Sequence, residues 1–576
     1  MAAALPPCIF FLVNQPTPAI VSQAAVRRLP RLALLLFCVA YVLPGFIGRE
    51  PWKVADVAAF GAMHELAIGG ATWWNPMVLG LPVEDTGALP YWLGAIFIRA
   101  LPFLPADWAA RLPFIGLLGR TLALTWYTVY HLARQPGAQP VAFAFGGEAK
   151  PTDYARAMAD AGLLALMACL GLAQLSHEGT PDLVRLAGVA AMLLGGARLA
   201  HFADPHQAKA MAPWALGGLA LVLSGSPWLA LFLGLGWLAW LLKHSPTGVR
   251  GPIGVAALLW ATALLVGLAA SPWPVLLPGT VWNEETWDSW GRLLIWFTWP
   301  AGPLALWTLW RWRRQWREPH VALPAWAAMV GILASTLADD RDRALMSALP
   351  ALATLAAFAL PTLRRSVAAL IDWFTLLFFS GCALVIWVIW MAMMTGLPAK
   401  PAANVAKLAP GFQPEFGLLA FALASAATLS WLWLVAWRVG AHRQALWKSL
   451  VLPAAGAILC WLLLMTLWLP LLDFGRSYGP ISRRIASLLP QSNPCVVVDG
   501  LTQAQVSALR YHGKLALVRS TDTPQNLEKC RALVVSPDTQ GTLDQRVDLT
   551  QWAFRATVRR LTDNKESLLL YQRVSR

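Results

Sequence analysis

Two short charged segments of this chain carry residue types that could do chemistry, and each adjoins a long apolar run. In the first segment, Arg49 and Lys53 lie close to Asp56. A carboxylate in such a place can act as a general base, and Arg or Lys can hold a phosphate group. On these residues alone, however, a solvated loop carboxylate is the simpler interpretation of Asp56.

The second charged segment is 339–343, which reads DDRDR and opens an apolar run at 344–361. Its Asp residues suit the N-terminus of a helix, where the backbone dipole favours negative charge. Arg343 needs another explanation, because arginine is disfavoured in the outer loops of membrane proteins. A third charged segment, 283–288 with Arg292, could touch a polar substrate but is more typical of a solvated loop.

The composition predicts the elements that must position these residues. The chain has 576 residues, of which 57% are hydrophobic and only 13% charged, whereas a soluble domain carries about 25% charged residues. Many apolar runs reach about 18 residues, the length that crosses a bilayer core. A soluble helical protein would need polar faces on these helices, and they have none. We therefore predict a mainly α, polytopic transmembrane helical bundle.

We predict about 13 transmembrane spans from the lengths of the apolar runs. Their approximate positions are 32–48, 110–132, 160–176, 183–199, 211–224, 226–243, 253–271, 291–311, 321–338, 344–361, 369–396, 416–438 and 449–472. The segment 49–108 contains only short apolar pieces, so we interpret it as an outer loop with helices that lie at the membrane surface.

Basic loops predict the orientation of the bundle. The arginines of 27–31 precede the first span and place the N-terminus in the cytoplasm. An odd number of spans then places the C-terminal segment outside and the most basic loops, 311–317, 364–365 and 438–448, inside. The net charge of +15 is explained by such loops, and we expect no nucleic-acid partner.

The C-terminal segment 474–576 differs in character from the transmembrane part, 1–473. Short strand-like runs alternate with helix-like stretches, which predicts a small α/β domain. The runs are Cys495–Val498, Leu515–Val518, Ala532–Val535 and Leu568–Tyr571. Cys495 and Cys530 each lie beside a predicted strand, so the pair is either a disulfide or two free thiols.

Several of these stretches carry a resemblance to a known family. The stretches 52–56 (WKVAD), 73–76 (WWNP) and 91–92 (YW), together with Asp85, resemble the first periplasmic loop of bacterial polyprenyl-phosphate-dependent glycosyltransferases. These are the 4-amino-4-deoxy-L-arabinose transferases and their relatives of the GT-C superfamily, akin to the protein mannosyltransferases of glycosyltransferase family 39. The stretch 343–350 loosely resembles a later Arg-x-Leu-x-Pro-x-x-Pro stretch of that family.

The resemblance implies roles for individual residues. Asp56 would be the catalytic aspartate, and Arg343 would lie near the lipid phosphate, with Arg49 or Lys53 as a further phosphate-binding cation. The implied substrate-binding residues are Glu84, Asp85 and Tyr91.

Three positions depart from the family pattern. Val57 stands where the family has Glu, Thr86 where it has a phosphate-holding Lys, and Gly87 where it has Pro. The missing cation could be replaced by Arg49 or Lys53, the acceptor could differ, or activity could be impaired.

The resemblance implies transfer of a sugar from a polyprenyl-phosphate donor to a membrane lipid, glycan or protein acceptor at the outer face of the bilayer. A transporter or flippase is the main alternative, although transporters place charged residues inside their spans. A non-catalytic envelope scaffold is the other. No cofactor is predicted; Glu84, Asp85 and His64 share one loop and would allow a divalent metal, but solvated side chains are the simpler interpretation.

Overall fold

A computed structural model of the chain describes residues 17–52, 54–83, 87–201, 207–244, 261, 284–440, 445–489, 495–523, 527–560 and 562–574. Within these ranges the α-helices are α1 (Arg31–Val42), α2 (Ala55–Ile68), α3 (Leu89–Ala100), α4 (Ala106–Ala133), α5 (Pro151–Ala168), α6 (Leu172–Leu175), α7 (Pro181–Leu199), α8 (Gln207–Leu223), α9 (Pro227–His244), α10 (Glu284–Phe297), α11 (Ala301–Arg311), α12 (Pro319–Leu337), α13 (Arg341–Met346), α14 (Leu349–Ala359), α15 (Arg365–Thr395), α16 (Ala399–Leu408), α17 (Leu418–Gly440), α18 (Lys448–Leu464), α19 (Leu469–Arg476), α20 (Gly479–Ser487) and α21 (Gln503–Tyr511).

The helices fall where the apolar runs predict them. A helix lies at each predicted span that the structure describes; the span 253–271, apart from Ala261, lies outside the described residues. Four of the helices, α5, α7, α9 and α12, begin with proline, which lacks the backbone N–H that would have no partner at this position. The predicted mainly α, polytopic membrane fold is confirmed.

Helix length and composition identify fewer spans than the apolar runs do. Among the described residues, α12, α15 and α17 are each long and apolar enough to cross a membrane. The pair α18 and α19, bent by 69°, would make a fourth if it forms one span. The predicted total of about 13 spans stays a prediction.

Several predicted spans are broken or shortened in the structure. The run 291–311 forms two helices, α10 and α11, which meet near Pro300, since proline cannot donate a helical hydrogen bond. Helix α10 begins at Glu284, so most of the charged segment 283–288 is the first turn of a helix rather than a loop. Helix α1 ends at Val42, just before Pro44.

Glycines let the central helices approach closely. Helix α7 packs against α4 and α8. A Cβ added at Gly217 would lie 2.5 Å from the carbonyl oxygen of Gly188 and 2.8 Å from the backbone nitrogen of Met192. Small residues at such a contact let two membrane helices come together backbone to backbone.

The predicted first outer loop contains two helices and a hairpin. Helices α2 and α3 pack against each other and against α4. Between them, β1 (Met77–Val78) pairs antiparallel with β2 (Leu81–Pro82). Helix α2 ends at Gly69, whose φ of 82° gives the left-handed conformation that commonly stops a helix.

The C-terminal region forms a five-stranded sheet in the order β4-β3-β5-β7-β6. The strands are β3 (Cys495–Asp499), β4 (Ala516–Arg519), β5 (Ala532–Val535), β6 (Trp552–Arg560) and β7 (Asp563–Arg573). Strand β3 runs parallel to β4 and β5, while β7 is antiparallel to β5 and β6. The four predicted strands are present, and β6 was not predicted.

A disulfide joins Cys495 to Cys530, whose Cα atoms are 4.8 Å apart, a normal separation for such a bond. The structure thus decides between the two alternatives that the sequence left open. The bridge ties the start of β3 to the residues that lead into β5.

Candidate active site

Asp56 lies in the first turn of α2 and is 2% exposed. Its carboxylate accepts two backbone hydrogen bonds, from Trp52 N at 3.0 Å and from Gly179 N at 2.9 Å. A carboxylate in the first turn of a helix is also stabilised by the helix dipole. Asp56 is therefore a buried carboxylate bonded to the protein, and the solvated-loop interpretation does not describe it.

Arg49 is the charge partner of Asp56. Its Nη1 lies 2.7 Å from Asp56 Oδ2, and the two side chains are only 1% and 3% exposed. Arg49 also donates to the carbonyl oxygens of Gly45 at 2.5 Å, Glu50 at 3.1 Å and His177 at 2.7 Å. Four hydrogen bonds thus occupy a guanidinium that has five donors.

The charges around Asp56 decide its protonation state. Burial by itself would raise the pKa of Asp56, but the guanidinium groups of Arg49 and Arg111 and the hydrogen bonds from Arg49 and Trp52 outweigh it. The pKa of Asp56 is therefore held below its ordinary value, and the carboxylate is ionised at neutral pH.

Arg111 of α4 fixes the segment that carries Arg49. Its Nη1 donates to the carbonyl oxygens of Arg49 at 2.6 Å and Phe46 at 3.3 Å. The first-loop segment is thereby attached to the helix bundle. A small cavity opens on Asp56 between α2 and α4, with Phe60, Met63 and Arg111 in its lining.

The connection between α6 and α7 forms the other wall of the site. His177 Nε2 lies 2.8 Å from Tyr41 O, and burial lowers the pKa of His177 to about 4. Gly179 donates to Asp56 from this connection. A Cβ on Gly179 would lie 3.5 Å from Asp56 Oδ1.

Arg343 reaches the same connection from the start of α13. Its guanidinium contacts Glu178 Oε2 at 2.5 Å and Asp182 Oδ2 at 3.1 Å. Arg185 contacts the second oxygen of Asp182 at 3.0 Å. Burial raises the pKa of Glu178, Arg343 opposes that shift, and the negative charge of Asp56 adds to it.

Two consecutive residues therefore connect Arg343 to Asp56. Glu178 pairs with Arg343, and the next residue, Gly179, donates its backbone N–H to Asp56. The sequence indicated Asp56 and Arg343 but not Glu178 or Asp182. The segment 177–182, HEGTPD, has a histidine and two carboxylates between apolar runs, and that density of polar residues was the available signal.

The other predicted site residues have different surroundings. Tyr91 lies in α3 and is 3% exposed, within the hydrophobic core. Lys53, Glu84 and Asp85 lie outside the described residues. Within the described residues, no group of three or more His, Cys, Asp or Glu side chains is arranged to hold a metal ion.

Two departures from the family pattern have local physical causes. Val57 is 1% exposed in the hydrophobic core, where an unpaired glutamate would be costly. A Cβ at Gly87 would lie 2.2 Å from the carbonyl carbon of Ser224 and 2.4 Å from Gly225 N. Glycine at 87 therefore allows a close backbone contact with the turn after α8. Thr86 lies outside the described residues.

Comparison with known proteins identifies the fold. No protein-family model matches the sequence, and neither does any curated protein. The chain is similar to the crystal structure of ArnT from Cupriavidus metallidurans in the apo state, with a TM-score of 0.57, 16% identity and coverage of 94% of this chain and 96% of that chain.

The structure of the same protein bound to undecaprenyl phosphate gives a TM-score of 0.56, 16% identity and coverage of 94% and 97%. At this identity the likeness shows the fold. The GT-C-like fold implied by the sequence resemblance is thereby confirmed over nearly the whole chain.

Proposed function

We propose that this protein is an integral membrane glycosyltransferase that moves a sugar from a polyprenyl-phosphate donor to an acceptor at the outer face of the bacterial inner membrane. The observation that carries the proposal is the junction at Glu178 and Gly179. It brings an ionised, buried carboxylate and an arginine from a distant part of the chain to one place.

Asp56 is the proposed catalytic residue. Its low pKa makes it a weak base in the ground state, so its first task is to orient the acceptor hydroxyl through a hydrogen bond. As the hydroxyl oxygen bonds to the anomeric carbon of the sugar, the proton passes to Asp56. The bond from that carbon to the phosphate oxygen breaks, and the polyprenyl phosphate leaves with the electron pair. Attack from the face opposite the leaving group inverts the anomeric centre.

Arg343 is the proposed phosphate-binding residue. Negative charge develops on the leaving phosphate, and a fixed guanidinium stabilises that charge most where water is excluded. Glu178 and Asp182 hold Arg343 in position before the donor binds. The donor class is supported by the fold, because a protein with the same fold is known bound to undecaprenyl phosphate.

The predicted topology supports the membrane face of the proposed reaction. The positive-inside rule supports a cytoplasmic N-terminus, a transmembrane part over 1–473 and a periplasmic domain over 474–576. The disulfide between Cys495 and Cys530 suits an oxidising compartment. A membrane lipid such as lipid A, a glycan or a protein would serve as the acceptor.

The test compares wild type with Asp56→Asn. Asparagine keeps the size of the side chain but removes the negative charge that holds the acceptor proton. We expect sugar transfer from a polyprenyl-phosphate donor, measured with purified protein in nanodiscs, to fall about 10²-fold or more. Mass spectrometry of envelope lipids and glycans, with and without the protein, identifies the product and supplies the acceptor for this assay.

Asp544→Asn is the matched control, because Asp544 is an exposed carboxylate of the C-terminal region. It should transfer sugar at the wild-type rate. A wild-type rate in Asp56→Asn would refute the role of Asp56. Wild-type protein that moves the intact lipid-linked sugar across a vesicle bilayer, without transfer, would support the transporter alternative instead.

A further inference from the structure

Arg476 is a partly buried arginine beside the site, and among the described residues its guanidinium stacks on a tryptophan ring rather than bonding to a carboxylate. It is the last residue of α19, where the chain leaves the helical part for the C-terminal region. Its guanidinium carbon lies 5.2 Å from the centre of the Trp52 ring, and that of Arg49 lies 4.6 Å from the same ring. The Trp52 backbone N–H donates to Asp56. Trp52 therefore contacts both Arg476, through its ring, and the proposed catalytic residue Asp56, through its backbone N–H.

The position of Arg476 is fixed by the helix that carries it. Asp473, one turn earlier in α19, accepts hydrogen bonds from Glu50 N at 2.9 Å and Trp52 Nε1 at 3.0 Å. Ser477, the next residue after Arg476, pairs with Trp52 through a backbone bridge. These contacts attach α19 to the first loop and hold the Arg476 side chain against the Trp52 ring.

The other arginines of the site are bonded to the protein, and Arg343 uses two of its five donors in this way. Arg49 makes four hydrogen bonds and is almost fully buried, while Arg343 and Arg185 are paired with carboxylates. Within the described residues, Arg476 makes no hydrogen bond and no ion pair. The nearby carboxylate of Glu178 acts on it electrostatically, but Glu178 bonds to Arg343. Such a guanidinium has donors available for an anion.

We propose that Arg476 binds the phosphate of the lipid-linked donor together with Arg343, an inference that rests on the proposed function. The planar guanidinium can donate two parallel hydrogen bonds to one phosphate. Stacking on Trp52 orients it before the ligand arrives, so less side-chain freedom is lost on binding. Arg476 thus offers a positive charge in a chain whose Thr86 stands where the resembled family has a phosphate-holding lysine.

The test measures binding and transfer separately. Undecaprenyl phosphate binding to the purified full-length protein in phosphatidylcholine nanodiscs is followed by native mass spectrometry. We expect Arg476→Ala to weaken binding about tenfold or more, because charge-assisted hydrogen bonds to the phosphate are lost. In the transfer assay, KM for the donor should rise, because a contact to the bound phosphate is lost. The value of kcat should fall as well, because negative charge develops on the same phosphate in the transition state.

Two further variants make the result specific. Arg476→Lys keeps the charge but loses the planar fork, so its binding should lie between wild type and Arg476→Ala. Arg484→Ala removes an exposed arginine from the neighbouring helix α20 and should bind like wild type.

Equal binding by wild type and Arg476→Ala would refute this inference alone, as would a fall in kcat with KM unchanged. Displacement of undecaprenyl phosphate by an equal amount of phosphatidylglycerol would refute the assignment of the site to the donor. Wild-type protein that binds no undecaprenyl phosphate would overturn the proposed function as well.

Discussion

Helix α2, which carries Asp56, packs against helix α21 of the C-terminal region, and Gly61 lies at this contact. A Cβ at Gly61 would lie 1.8 Å from Ser507 Oγ and 2.4 Å from Ser507 Cβ. Around this contact, Arg510 pairs with Glu65 at 2.7 Å. We predict that Gly61→Ala separates the two helices and displaces Asp56 from its partners.

The size of the effect follows from two opposing contributions. Alanine stabilises a helix interior by about 1 kcal/mol relative to glycine. Inserting a methyl group into a filled contact costs about 1–3 kcal/mol, so the net cost is about 0–2 kcal/mol and the protein should still fold. The Asp56 carboxylate must match Arg49 and Gly179, which lie on other segments. Since a shift of about 1 Å can cost about 10²-fold in rate, we expect kcat to fall about 10- to 100-fold.

The assay is designed around a compensating change. Ser507→Gly removes both contacting atoms and leaves the Ser507 Cα 3.5 Å from the new Cβ, which is an ordinary contact distance. The double variant Gly61→Ala/Ser507→Gly should therefore recover most of kcat. Gly119→Ala in α4 is the matched control, because a Cβ at Gly119 would meet nothing within 4 Å.

Amide hydrogen exchange reports whether the helix has moved. Exchange should speed up in α2 of Gly61→Ala and return towards wild type in the double variant. The reasoning is wrong if Gly61→Ala retains wild-type kcat and wild-type exchange in α2. It is also wrong if the double variant is no more active than Gly61→Ala.

Three further predictions concern the charges of the site and the disulfide. Arg49→Met leaves the Asp56 carboxylate buried without its partner, so we expect the free energy of unfolding to fall by about 3–5 kcal/mol in denaturation experiments. The double variant Arg49→Met/Asp56→Asn should regain part of that free energy. A double variant that is no more stable than Arg49→Met would contradict the pairing. Because burial raises the pKa of Glu178 above its ordinary value of 4.5, it gains a proton before an ordinary glutamate does as the pH falls. In wild type, the transfer rate should then begin to fall at a pH above 4.5 as the solution is acidified. In Glu178→Gln, the rate should be low and should not change with pH over this range. If Glu178→Gln shows the same fall in rate with acidification as wild type, Glu178 is not its origin. Thiol labelling of the denatured protein should find two more cysteines after reduction than without it, because Cys495 and Cys530 are paired. Equal labelling with and without reduction would refute the bridge.

Local patterns were enough to predict most of the helices and strands. Apolar runs predict α5, α7 and α12, because the hydrophobicity of a segment can be identified within a few residues of the chain. Strand β3 was predicted from its run of Val residues. Strand β6 was missed because its sequence, WAFRATVRR, shows no clear alternation; its residues are mostly exposed, and they pair with β7 along one edge of the sheet.

The candidate site was only half predictable. Asp56 and Arg343 lie in segments whose charge contrasts with the apolar runs beside them, so the sequence alone indicated them. Nothing in the sequence showed that Arg49 forms a buried ion pair with Asp56 or that Val57 packs in the core. Those facts depend on which side of α2 faces the bundle, and the position of α2 is set by its contacts with α3, α4 and α21.

The sequence by itself determined that this is a membrane protein of the α class with charged segments beside its apolar helices. Hydrophobicity and helical periodicity are local properties, so they can be identified without knowing the fold. Only the tertiary structure decided which charges meet. Glu178 bonds to Arg343, and Arg476 stacks on Trp52. These contacts form because helices that are distant in the sequence pack together and bring the side chains into one partly buried region. An unpaired charge is costly in such a region, so each charged group needs a partner there.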